Sequence, residues 1–138
     1  MDGYLSKAQI LGADDSGFED VRVPEWGGGI VRVASMSGLE KDAFEASLTT
    51  ITQQRDGKVT QKMNLANVRA KLAARCMVDE NGRRLFEDAD VLELGRKSAA
   101  ALDRVIVVAK RLNAIDDADL KALTESLKND PPADSLSG

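Results

Sequence analysis

The sequence predicts an α+β fold: a mainly α-helical bundle with an N-terminal β-hairpin and a disordered C-terminal tail. Three observations predict it. From Leu65 to Leu112 apolar residues recur at helical spacing, broken by one polar turn at Asn81-Gly82. From Phe18 to Ala34 valines alternate with charged residues on either side of a glycine run, the period of two of a hairpin. From Asp130 the chain changes to Pro, Ser, Asp and Gly, with little to bury. A length of 138 residues suits one domain, drawn at residues 1–128, with a tail over 129–138.

In chain order, Met1 to Gly12 offers only Leu5, Ile10 and Leu11 as anchors and reads as a short strand or a loosely docked arm. Asp14-Asp15-Ser16-Gly17 is a turn. Phe18–Val23 reads as a strand, with Val21 and Val23 on one side and Asp20 and Arg22 on the other. Pro24 stops it, Trp26-Gly27-Gly28-Gly29 connects, and Ile30–Ala34 returns. Ser37 and Glu40 have capping-box spacing, so a helix is expected to run to about Gln54, with Leu39, Phe44, Leu48 and Ile51 along one side. Asn64 is the expected cap of the next helix, to Met77, whose stripe is Leu65, Val68, Leu72 and Cys76. Met77-Val78 and Leu85-Phe86 flank the Asn81-Gly82 turn as candidate paired strands. Asp88 opens a short helix that Gly95 would close as a left-handed cap. Ser98–Asn113 is the most apolar helix, and a last one from Asp116 or Asp117 carries Leu120, Leu123 and Leu127.

Composition narrows the chemistry. The formal charge of -4 disfavours the clustered basic face that nucleic acid needs, and binding to an anionic membrane. There is no histidine, which removes the usual general base and the commonest metal ligand. Cys76 is the single cysteine and lies on an apolar stripe, so it reads as a structural thiol. The opening residues lack a signal-peptide pattern, and the longest apolar run, Val105–Ala109, is far too short to span a bilayer, so a cytoplasmic location is expected.

No motif carries catalysis. A calcium loop opening at Asp79 would need glycine where Arg84 stands and glutamate where Asp90 stands. The glycines after Trp26 match neither phosphate-binding fingerprint. The carboxylate pairs sit at turns and helix starts, where capping explains them. No catalytic, cofactor-binding or metal-binding residue is therefore named, and no cofactor. The candidate residues are for partner binding. Trp26 either folds onto the core or stands out as an interface anchor. Arg104 and Arg111 share a helix face with Lys97, either as a solvated flank or as a docking face for an acidic helix. Ile106, Val107 and Val108 give their helix more apolar circumference than one small core requires.

The ordered set of motifs resembles a known family. Val21-Arg22-Val23-Pro24-Glu25-Trp26-Gly27-Gly28 precedes Val31-Arg32-Val33 and the helix start from Leu39 to Phe44. Ala70 to Val78, Asp79-Glu80-Asn81-Gly82, Leu85-Phe86 and Asp90-Val91 follow. Leu94-Gly95-Arg96-Lys97-Ser98 with Ala101-Leu102-Asp103-Arg104 completes the pattern, which covers residues 18–115. It looks like the tail assembly chaperones of long-tailed bacteriophages and prophages. The resemblance implies a protein without catalysis that binds the tape measure protein and keeps it soluble while the tail tube forms. It implies action in the host cytoplasm, absence from the mature virion, and the tail tube protein as a further candidate partner. Self-association fits the same picture, since many copies would have to coat a long client. The rival reading is a small DNA-binding regulator, with Asp88–Gly95 and Ser98–Asn113 as a helix-turn-helix. An apolar second helix is a poor reader of bases.

Overall fold

The computed structural model describes residues 3–116 and 118. The expected last helix therefore lies outside the described residues apart from Asp116 and Ala118, as do the boundary at 128 and the tail. Helix α1 (Lys7–Gly12) is followed by strand β1 (Phe18–Val23), a single 3-10 turn at Pro24–Trp26, and strand β2 (Gly29–Ala34). Helix α2 (Gly38–Ser47) leads into strands β3 (Thr49–Gln53) and β4 (Val59–Met63). Helix α3 (Val68–Cys76) runs directly into strand β5 (Met77–Val78). Helix α4 (Val91–Leu94) and the long helix α5 (Ala99–Leu112) complete the described chain.

The mainly helical bundle is thus corrected. The chain is α+β with two small sheets, 44% helix and 21% strand. The largest departure is at residues 49–63, expected to continue α2 and then break. Instead α2 ends at Ser47 and an antiparallel hairpin follows, with Ile51 opposite Gln61 and Thr52 opposite Thr60. The cause is local. Thr49, Thr50, Ile51 and Thr52 are four β-branched residues in a row, crowded in a helix and at ease on a pleated strand. Gly57, at φ 87°, supplies the left-handed residue that reverses the chain. Leu48 at the junction is fully buried, whereas Ile51 remains exposed, so the helical stripe drawn through both does not exist.

The first hairpin forms as expected and gains a third strand. β5 pairs with β2 on the side away from β1, with Arg32 opposite Val78 and Val33 opposite Met77. The Asn81-Gly82 turn then carries Arg84 back alongside Val78. Asp79 holds this turn: its Oδ1 accepts the N–H groups of Asn81 at 2.8 Å and Arg83 at 3.0 Å. The backbone N–H of Arg83, and then that of Asn81, keeps the Asp79 carboxyl below its usual range. The N-terminal arm joins neither sheet; it is α1, opened by a complete Ser6–Gln9 capping box and burying none of its residues.

Two helix ends also differ from expectation. α3 starts at Val68 after Asn67, which sits at φ 60°, while Asn64 accepts the N–H of Ala66 at 2.9 Å in the preceding turn. Gly95 is right-handed rather than left-handed; its lack of a side chain matters because a Cβ there would lie 3.2 Å from Asn67 Oδ1 and 3.5 Å from the Ala70 Cβ. It lets α4 close tightly on α3.

α5 is central. Its buried face, Ala101, Leu102, Val105, Ile106, Val108 and Ala109, packs on α3 at one side and beneath β1 and β2 at the other. Phe44, Leu48, Leu72, Met77 and Leu94 complete the core.

Candidate partner-binding surface

The surface around α5 is built from the inward face of β1 and the flank of α5 beneath it. Glu19, Val21 and Val23 alternate inward along β1, and α5 lies under them. Arg104 reaches Glu25 just past the end of β1, its Nε donating to Oε1 at 2.8 Å, and Arg111 reaches Glu19 near the start. α5 therefore runs antiparallel to β1. The Arg104 hydrogen bond is the main cause holding the Glu25 carboxyl below its usual range. Val107 falls between the two pairs, on the same helix face as both arginines. It is 67% exposed.

The other candidate residues take different places. Ile106 and Val108 are buried in the core, so the continuous apolar run of the sequence has only Val107 on the open surface. Trp26 is half-buried and packs against the core from the turn that touches α5. Arg104 and Arg111 both carry carboxylate partners within the chain. On the side of Val107 toward α3, Asp103 accepts from Arg69 Nε at 2.7 Å.

Sequence reasoning missed two other exposed apolar surfaces. α1 and its approach display Tyr4, Leu5, Ile10 and Leu11, each more than half exposed. The Ser6-to-Gln9 spacing was the signal for that helix. The β3–β4 ribbon exposes Ile51 and Val59; its threonine run was the signal.

This arrangement offers non-covalent contact. Burial pushes the Cys76 thiol up to about 12, against the opposing hydrogen bond from Asn113, so it is inert as a nucleophile at neutral pH. Among the described residues, no group of three Cys, Asp or Glu side chains could hold a metal ion. No described helix is long and apolar enough to cross a membrane. A helix-turn-helix reading finds no free recognition helix, since α4 has four residues and α5 is embedded in the core.

A family model described as phage tail assembly chaperone matches residues 6–125 of this chain. Searches of curated proteins and of solved structures find no match.

Proposed function

The chain belongs to the phage tail assembly chaperone family, and from that premise we propose that it binds the tape measure protein and keeps it soluble until the tail tube encloses it. One observation carries the choice of client. α1 is a capped helix that buries none of its residues, and its apolar side chains join no core cluster among the described residues. An exposed amphipathic helix is suited to lie against another amphipathic helix, and a tape measure protein is a long helical client. Tyr4, Leu5, Ile10 and Leu11 are the client-facing residues in this reading, with Ile51 and Val59 of the ribbon as a second contact.

The α5 flank with Val107, Arg104 and Arg111 is assigned to contacts of a different kind, and Trp26, Ile106 and Val108 support it from beneath. The protein acts without catalysis or cofactor, in the host cytoplasm, and leaves before the virion is complete. The tail tube protein is the second candidate partner.

Co-expression with the tape measure protein of the same phage tests the reading. The wild-type chain should raise the soluble fraction of the client and co-purify with it. A Leu5→Glu/Leu11→Glu variant should fold, since neither residue is buried, and should lose both effects.

A further inference from the structure

We propose that two copies of this chain pair through the open edge of β1, joining their three-stranded sheets into one. The argument uses β1 and α5 alone and does not depend on the client.

β1 is an edge strand: the order is β1-β2-β5, and nothing among the described residues pairs with its outer side. Which backbone groups face outward follows from the ladder. Ser35 donates to the Gly17 carbonyl at 2.8 Å. In an antiparallel pair the bonded positions alternate, so Glu19, Val21 and Val23 bond to β2. Phe18, Asp20 and Arg22 aim their N–H and C=O groups outward, and all three are exposed.

The side chains choose the register. An antiparallel copy bonded through those groups can set Asp20 opposite Arg22 of the second copy, and Arg22 opposite its Asp20. Val21 then meets its own copy on the two-fold axis. Sliding by two residues one way sets Asp20 against Asp20, and sliding the other way sets Arg22 against Arg22. Only the first register pairs opposite charges twice; Pro24, which has no N–H, then falls opposite Phe18 at each end of the pairing.

The same register covers Val107. Strands lie about 4.8 Å apart, so the mid-lines of β1 and β2 in the two copies would be separated by about 10 Å, a helix-packing distance. The two α5 helices would lie side by side beneath the joined sheet. Arg104 and Arg111 point toward the β1 side of α5, where their carboxylates are. Val107 between them therefore faces its copy across the axis, and half-buried Val21 closes over it. This explains a 67% exposed valine framed by two internally neutralised ion pairs.

Sedimentation equilibrium of the full chain tests the proposal. The wild type should sediment at twice the monomer mass. Arg22→Glu, which puts like charges opposite each other twice, should weaken association by roughly tenfold or more. Asp20→Lys/Arg22→Glu/Arg32→Glu, which keeps opposite charges at positions 20 and 32 within each chain, should restore it. Val107→Cys should give a covalent dimer with a short bismaleimide, whereas the wild type, whose only cysteine is buried, should not. A wild-type chain that stays monomeric at its highest soluble concentration, an oligomer indifferent to Arg22→Glu, or a Val107→Cys chain that does not cross-link would each overturn it.

Discussion

The side-chain oxygen of Asn113 accepts the backbone N–H of Met36 at 2.5 Å, joining the end of α5 to the link between β2 and α2. The same amide donates to the Ala109 carbonyl at 2.8 Å and to Cys76 Sγ at 3.6 Å. One buried asparagine thus fastens the last turn of α5, the end of α3 and the exit of the sheet. Asn113→Ala leaves the Met36 N–H without that acceptor and should cost about 1–3 kcal/mol. Urea unfolding with an unchanged slope would check it.

The core and the ribbon should respond very differently to substitution. Phe44 is 1% exposed at the centre of the core, so Phe44→Ala should destabilise by about 3–5 kcal/mol. Ile51, 64% exposed on β3, should tolerate serine within about 0.5 kcal/mol. Thermal unfolding of the two variants, measured side by side, checks the contrast. Equal losses would mean the ribbon is packed.

Acid sensitivity follows from three carboxylates. Asp20, held mainly by Arg32, Glu25, held mainly by Arg104, and Asp79, held mainly by the Arg83 N–H, all have folded values below their ordinary 3.8, 4.5 and 3.8. A lowered folded value means stability that is present above the ordinary value and is lost as pH falls through the folded one. Stability should therefore hold from neutrality to about pH 5 and decline below it. With no histidine in the chain, no step is expected between about pH 5 and 8. Glu25→Gln should shrink the acid decline in a denaturant series taken across pH.

At the alkaline end the sign reverses. Burial raises the Cys76 thiol from 9.0 to about 12, so the unfolded chain ionises where the folded chain cannot. Its contribution is intact below pH 9 and is lost as pH rises from there toward 12. Ellman's reagent should leave the folded protein untouched at neutral pH and titrate one thiol after unfolding. Rapid labelling of the folded chain would contradict the burial.

Much of this was legible in the sequence where local chemistry decides. The valine alternation and Pro24 marked the first hairpin, Ser37 and Glu40 marked the start of α2, and the run from Ser98 marked α5 almost to the residue. The ribbon was missed because Leu48 and Ile51 keep helical spacing with Phe44, and that period was weighed above the threonines around them. β5 was misassigned in part: two residues carry no period, and their pairing with β2 is set by α3 delivering them to the sheet. The burial of Ile106 and Val108 with Val107 exposed depends on where β1 and β2 sit over α5. An apolar run alone does not contain that phase.

The central claim is that this chain holds a tape measure protein in solution, and co-expression of the two from the same phage genome measures it most directly. The account predicts that the client is found in the soluble fraction and co-purifies with the wild-type chain, and that it is insoluble alone or beside the Leu5→Glu/Leu11→Glu variant. A client equally soluble with and without this chain, or soluble beside both versions without co-purifying, would contradict it.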